Sequence, residues 1–239
     1  MKVLVQSEST LTQQLLLSIA EQIKLPLLQI SRQAELAAMG LDPDYEQVRI
    51  LAENGMHLID GYSLGVKLTN RHDFELTPEA VSVPAILYDA KTQLSSFANL
   101  YNIDLELSTG GRIGPVLAHR QGLQSAIIAL TSALIEALPA QADGSQKMLQ
   151  LATHKCRYGV VAGVYGNFPS LSNDVLRTGR KLYGISRQPL VTISHTSGSG
   201  IFVADEIFRV MNLKLRVSRH HRLYGLGVVL QPSSQLALI

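Results

Sequence analysis

The segment LLSIAEQIKLPLLQISRQAELAAMGL, residues 16–41, has the clearest structural pattern in this chain. Its apolar residues recur in alternating steps of four and three: Leu16, Ala20, Ile23, Leu27, Ile30, Ala34, Ala37 and Leu41. Such a heptad pattern predicts a long helix with one apolar face that packs against another helix. Pro26 lies inside the pattern, where it removes one backbone hydrogen bond and favours a bend.

A second helix is predicted directly after the first. Gly40 and the pair Asp42-Pro43 favour a helix end and a turn, and Asp42 or Asp44 can cap the next helix. The three-and-four spacing then resumes at Val48, Leu51, Gly55, Leu58 and Tyr62. Together the two helices predict an antiparallel helical hairpin over residues 1–70.

One hairpin cannot cover the apolar faces of both its helices. Two copies can do so by forming a four-helix bundle, and we therefore expect a homodimer. The alternative is that the hairpin packs on the remainder of its own chain.

Residues 75–239 have a mixed pattern. Segments 81–101, 123–138 and 201–211 are predicted helices, whereas residues 104–107 alternate as a strand does. Further strand-like segments are 158–164, 190–193, 214–217 and 226–230. This order predicts an α/β sandwich with helices on one face of a mixed sheet, and hence an α+β chain of hairpin followed by sandwich.

Composition excludes several classes of protein. Hydrophobic residues make up 46% and charged residues 17%, too apolar a balance for a disordered chain. A net charge of +2 gives no basic field, so no nucleic-acid partner is expected. Cys156 is the only cysteine and the seven histidines show no ligand spacing, so we expect neither a disulfide nor a metal site. Since no apolar run reaches the roughly 18 residues of a membrane span, we expect a cytoplasmic protein without a membrane partner.

Several strings resemble, in order, the core of a bacterial sensor histidine kinase. In that family a dimerising hairpin precedes a Bergerat-type ATP-binding domain. The segment EQIKLPL, residues 21–27, is similar to the phosphoacceptor motif His-Glu-Leu-Arg-Thr-Pro-Leu, and residues 123–135 look like the helix that bears the asparagine box. The segment GSGIFVA, residues 198–204, is similar to the second glycine box. The resemblance covers nearly the whole chain and implies two-component signal transduction.

Several positions that are catalytic or ATP-binding in this family have residues here that cannot perform the same role. The phosphorylated histidine falls on Glu21, and a carboxylate cannot form a phosphoimidazole. The two box asparagines fall on Ala129 and Ala133, which offer no oxygen to the magnesium that bridges the nucleotide phosphates. Glu136 falls where the family often has a lysine, and its charge would repel phosphate.

The glycine boxes differ as well. Gly163 falls where an aspartate reads adenine, and Tyr165 adds bulk where a glycine lets the base approach. Gly198 and Gly200 of the second box remain, and their backbone N–H groups can bind a phosphate. The alternative for these two glycines is a helix entry turn that needs small residues.

The resemblance with these replacements implies a catalytically inactive pseudokinase. We expect it to bind neither ATP nor Mg²⁺. The alternative is that the degenerate site still binds both. It would act through contacts with a response-regulator receiver domain or another kinase. The family's receiver docks on the first helix, and the corresponding face here includes Lys24, Gln29, Arg32 and Gln33.

Three alternatives remain open. His57 lies between Gly55 and Leu58 and can reach the flank of the bundle, which would make the protein phosphotransferase-like with a displaced acceptor. A divergent histidine kinase that still binds ATP is the second alternative. The third is that the vacated nucleotide pocket binds a different small ligand.

Overall fold

The structure, a computed structural model, describes residue 20 and residues 22–70, 77–138, 147–168, 171, 176 and 197–233. Glu21, the residue at the phosphoacceptor position, lies outside the described residues, as does the strand predicted over 190–193. For residues 68–70 and 197–199 the backbone alone is described.

The N-terminal part is a helical hairpin, as the sequence predicts. Helix α1 covers residues 22–38, and helix α2 covers Tyr45–Asn70. Gly40 ends α1 with a φ of +74°, a backbone conformation that suits glycine. Of the two candidate caps Asp44 is used, because its Oδ1 accepts a hydrogen bond of 2.9 Å from the Gln47 N–H. Gln33 joins the two helices, since its Oε1 accepts from the Asp44 N–H at 3.0 Å and its Nε2 donates to Gln47.

A sandwich of helices and strands follows the hairpin. Its elements are β1 (Glu79–Val81), α3 (Val83–Leu100), β2 (Ile103–Thr109), β3 (Val116–Ala118), α4 (Arg120–Ala137), β4 (Lys147–Cys156), β5 (Gly159–Gly166), α5 (Ser197–Val210), β6 (Arg216–His220) and β7 (Leu223–Leu230). The main sheet has the order β2-β4-β5-β7-β6, in which β2 and β4 are parallel and the other pairs antiparallel. Strands β1 and β3 form a separate antiparallel pair.

The boundaries differ from the predicted ones at several places. Helix α3 begins at Val83 rather than at 81, because Val81 pairs with Val116 between β1 and β3. Helix α4 begins at Arg120, where His119 caps it by accepting the Gly122 N–H at 3.0 Å. The sequence did not predict strand β4, whose polar residues interrupt the apolar alternation.

Alternation along the strands divides the main sheet into two faces. Ala162 and Val164 of β5 belong to the core formed with α3, α4 and α5. The residues between and after them, Gly163 and Tyr165, therefore lie on the face away from the helices. The helix side is the main core, in which Phe97, Ile127, Leu130 and Phe208 are all at most 1% exposed.

The hairpin packs on its own sandwich through α2. Leu51 and Tyr62, two residues of the predicted apolar stripe, belong to the common core and are buried. Gly61 lies over Ser125 of α4 and Gly65 over Ile207 of α5, with contacts of 3.6 and 3.3 Å from the position of a Cβ atom. These two glycines let α2 approach α4 and α5 closely.

The predicted apolar stripe of α1 is left largely uncovered. Leu27 is 58% exposed and Leu41 55%, and Ala34 is exposed as well. The buried side of α1 is rotated from this stripe and contains Gln22 and Pro26. The sequence thus located the apolar stripe, but it did not predict that α1 also has a second, polar face turned inward.

Among the described residues no helix is long and apolar enough to span a membrane.

Candidate functional site

The residues at the asparagine-box positions lie on α4 beside α5. Ala129 and Ala133 are buried, at 3% and 0% exposure. A Cβ atom added to Gly200 would lie only 2.7 Å from the Ala133 Cβ, so α4 and α5 meet here with a glycine on one side and a methyl on the other. The structure therefore brings Ala133 and Gly200 together, and Gly198 lies in the first turn of α5.

The first described turn of α1 occupies the position beside this crossing. The Gln22 side chain is 2% exposed, and its amide group lies against Gly200. Its Cδ would be 3.1 Å from a Cβ on that glycine, and its Nε2 closer still. The hairpin thus covers the place where α4 and α5 meet.

Helix α2 covers the same side of α4 with a polar contact. Ser132 Oγ donates a hydrogen bond of 3.1 Å to Asn54 Oδ1, and both side chains are buried. Sequence reasoning missed Gln22, Asn54 and Ser132. The available signal was that Gln22 and Asn54 are polar residues directly beside the apolar positions Ile23 and Gly55.

The structure does not bring Gly163 to this crossing. Gly163 lies on the opposite face of the sheet, with the Tyr165 phenol above it: a Cβ there would be 2.7 Å from the Tyr165 hydroxyl. The hydroxyl lies 3.3 Å from Ser218 Oγ. Tyr165 is fully buried on that face and does not fill the space between α4 and α5.

The end of β5 on the helix side is closed by apolar side chains. Gly166 pairs with Leu149 and faces the helices. A Cβ on it would be 2.9 Å from the Phe168 ring and 3.2 Å from Leu138. Phe168 and Leu171 are each 8% exposed and belong to the main core.

Glu136 lies at the end of α4 near α1. Burial raises the pKa of its carboxyl to about 7. Burial and the Glu136 charge together raise the pKa of Tyr101 to about 12, whereas a side-chain hydrogen bond with Gln29 of α1 acts in the opposite direction. Gln29, predicted on the docking face, is therefore turned towards Tyr101.

The other predicted residues of the hairpin divide into exposed and covered ones. Lys24 and Arg32 are exposed, whereas Gln33 is half-buried in its bonds with Asp44 and Gln47. His57 is half-buried on α2, and its Nδ1 is buried with no hydrogen-bond partner among the described residues. Within the described part of the chain no cluster of three or more candidate ligands can hold a metal ion.

Comparison with solved structures identifies the fold, whereas comparison of the sequence alone finds no relative. No protein-family model matches the sequence, and no curated protein matches it significantly. Solved structures do match. The histidine kinase AdeS of Acinetobacter baumannii is 13% identical, with a TM-score of 0.52 over 87% of this chain and 96% of AdeS.

Two complexes match equally well. Full-length ShkA in complex with AMPPNP is 14% identical, with a TM-score of 0.53 over 95% of this chain and 46% of ShkA. The histidine kinase ThkA, in complex with the response regulator protein TrrA, is 14% identical, with a TM-score of 0.52 over 89% of this chain and 60% of that one. The chain has the fold of a histidine kinase core, and the resemblance read from the sequence is confirmed at the level of the fold.

The contact between Gln22 and Gly200 predicts opposite effects for two glycine substitutions. Gly200→Ala places a methyl group against Gln22 and Ala133, and we expect it to lower the free energy of unfolding by about 1–3 kcal/mol. Gly55→Ala, in α2, meets nothing within 4 Å and should raise it by up to about 1 kcal/mol through helix propensity. Urea denaturation measures both. Equal stabilisation by the two substitutions would contradict the position of Gln22.

The raised pKa of Glu136 predicts a pH dependence of stability. The native state holds this proton up to about pH 7, whereas the unfolded chain releases it near 4.5. The free energy of unfolding should therefore fall by up to about 3 kcal/mol as the pH rises from 4.5 through 7. Glu136→Gln should remove this fall. Urea denaturation midpoints of the wild type and of Glu136→Gln at pH 5 and pH 8 provide the test. An equal change of midpoint with pH in the two proteins would show that the Glu136 carboxyl is not buried.

Proposed function

We propose that this protein is a histidine-kinase-like pseudokinase that acts in two-component signalling through protein contacts, without ATP-dependent phosphorylation. The observation that carries the proposal is the position of Gln22, whose amide lies against Gly200 beside Ala133, at positions that correspond to the family's nucleotide-binding boxes. Asn54 extends this cover along α4.

The residues present do not fit a magnesium nucleotide. The methyl groups of Ala129 and Ala133 offer no ligand to Mg²⁺. The Gln22 amide blocks access to Gly200, the glycine of the second box whose surroundings are described. Once ionised, Glu136 adds a negative charge at the end of the same helix, and this charge disfavours phosphate. A nucleotide would have to displace both helices of the hairpin to reach α4.

Phosphorylation and binding assays test the proposal. We expect no incorporation of phosphate on any residue when the purified protein is incubated with ATP and Mg²⁺, and no heat of ATP binding in calorimetry at millimolar concentrations. Phosphorylation of any residue would contradict the proposal and favour the divergent kinase. Transfer from a phosphorylated receiver domain to this chain, abolished by His57→Gln, would instead favour the phosphotransferase alternative.

The same proposal includes a homodimer formed through the hairpin. The uncovered stripe of α1 contains Leu27, and α2 has Met56 and Ile59 exposed by 56% and 44%. Met56 and Ile59 are three residues apart, which is one of the two alternating steps of the α1 stripe, so a second copy can cover both exposed stripes by helix–helix packing. We propose a second copy as the partner of this surface, because the apolar stripe of one copy has the same spacing as the stripe of the other and the two can pack together.

Charge substitutions in the exposed stripe are predicted to abolish the dimer. Leu27→Asp or Met56→Asp places a charge in the bundle core, which weakens association by at least tenfold. Tyr158→Asp, at a residue that is 71% exposed in the sandwich, is the matched control and should leave the dimer intact. Sedimentation analysis distinguishes the two outcomes. A wild-type protein that is monomeric at high micromolar concentration would rule out the dimer.

A receiver domain is the partner that we propose for the remaining exposed face of α1. Lys24, Leu28 and Arg32 follow one another at intervals of four residues, and all three are exposed. This stripe combines two positive charges with an apolar centre. It replaces the wider face predicted from the sequence, since Gln29 and Gln33 have partners inside the chain.

A further inference from the structure

The two outermost strands of the main sheet meet each other on the face away from the helices. Ser108 lies on β2 and His220 on β6, the two ends of the strand order β2-β4-β5-β7-β6. Ser108 Oγ and His220 Nε2 are nevertheless only 3.2 Å apart and hydrogen bonded. In a flat sheet four strand spacings would separate these strands by roughly 19 Å. The sheet therefore curls far enough for side chains of its two edge strands to meet.

Glycines in the two central strands permit this curl. Gly163 of β5 pairs with Gly227 of β7, and Gly225 pairs with Tyr165. A Cβ atom on Gly225 would be 2.7 Å from the Tyr165 Cα, and one on Gly163 would collide with the Leu226 carbonyl oxygen at 2.7 Å. With no side chains in the way, the Tyr165 ring fills the hollow and is fully buried.

Imidazole rings close the open side of this hollow. The His154 and His220 rings are stacked, with centroids 5.1 Å apart and an interplanar angle of 23°. The His221 ring meets His220 edge-on at 4.3 Å, and Tyr165 lies 5.4 Å from His220. His220 is 8% exposed and thus lies between the other rings.

We propose that this cluster is an acid-sensitive closure of the sheet: uncharged His154 and His220 hold β6 against β2 and β4 over Tyr165, and their protonation separates the edges and exposes Tyr165. Two stacked imidazolium rings repel each other. The bond to Ser108 survives protonation, because a protonated Nε2 still donates to the hydroxyl. Repulsion between the rings is therefore what opens the closure.

The surroundings of the rings favour their uncharged forms. Burial, followed by the charge of His221, lowers the pKa of His154, and burial with His221 and His154 lowers the pKa of His220. Besides the two rings, the charged or titratable groups on this face of the described strands and turn are Asp104 and Glu106 on β2, Cys156 on β4, Tyr165 on β5, Arg216 on β6, and His221 and Arg222 in the turn. Glu106 accepts a hydrogen bond of 3.1 Å from Gln150 Nε2. The Arg219 guanidinium donates to the His221 carbonyl at 2.9 Å.

Fluorine NMR of the full chain tests the proposal. The protein is produced with 3-fluorotyrosine, and the signal of Tyr165 among the eight tyrosines is identified with Tyr165→Phe. Between pH 7.5 and 5.0 the Tyr165 signal should shift from a buried to a solvent-exposed frequency. The midpoint should lie below the ordinary histidine pKa of about 6.5, with a slope of about two protons. The signal of Tyr62, buried between α2 and the sandwich, should not move.

Histidine variants separate this closure from general acid unfolding. His154→Gln should lower the midpoint by about one pH unit and reduce the slope to about one proton, because one driving charge is lost. His57→Gln, on the hairpin, is the matched control and should change neither value. If His154→Gln does not fold, His221→Asn is used with the opposite expectation: it removes a charge that lowers the pKa of both rings, so the midpoint should rise and the slope should stay at about two protons. Asparagine accepts the φ of +53° at that position. The proposal is overturned if Tyr165 and Tyr62 become exposed together, or if the cluster variant and the control have the same midpoint.

Discussion

The close approach of α1 to the crossing of α4 and α5 determines how the hairpin packs on the sandwich. Gly200 has no side chain, so the Ala133 methyl and the Gln22 amide can both reach its α-carbon. The hydrogen bond between Asn54 and Ser132 then fixes α2 along α4. Because a buried polar group costs free energy when it is displaced from its partner, this bond favours one register of the hairpin on the sandwich. The helices of the hairpin and of the sandwich consequently share one core.

In our proposal, alanine at the box positions and the contact with the hairpin have a common physical basis. Alanine at 129 and 133 makes α4 apolar at these two positions, where it offers no ligand atoms. Such a surface is best stabilised by another helix, and the hairpin is the nearest one in the chain. In our proposal the groups that once bound a nucleotide have been exchanged for groups that bind the hairpin, while the core beneath them, with Ile127 and Leu130, is kept for packing.

The sequence predicted the parts of the fold that depend on local chemistry. The heptad steps gave the hairpin, and Gly40 and Asp44 marked its turn, because helix ends are determined by nearby residues. The partner of each helix face was not predictable, since an apolar stripe such as Leu51 to Tyr62 shows that something covers it but not what does. The resemblance assigned Gly163 to the same nucleotide site as Ala133, whereas Gly163 lies on the other face of the sheet. A shift of one residue along a strand reverses the direction of a side chain, and the sequence does not fix that register. The contacts of Gln22, which join residues far apart in the chain, had no local signal.

Hydrogen–deuterium exchange of the full chain, with and without saturating ATP and Mg²⁺, shows whether the hairpin keeps a nucleotide away from α4 and α5. If the hairpin occupies the crossing of α4 and α5, the amides of residues 126–136 and 200–208 are protected in the free protein, and the nucleotide changes neither their protection nor that of residues 22–33. New protection in α4 and α5 together with faster exchange in α1 would show that ATP displaces the hairpin, and would contradict the account.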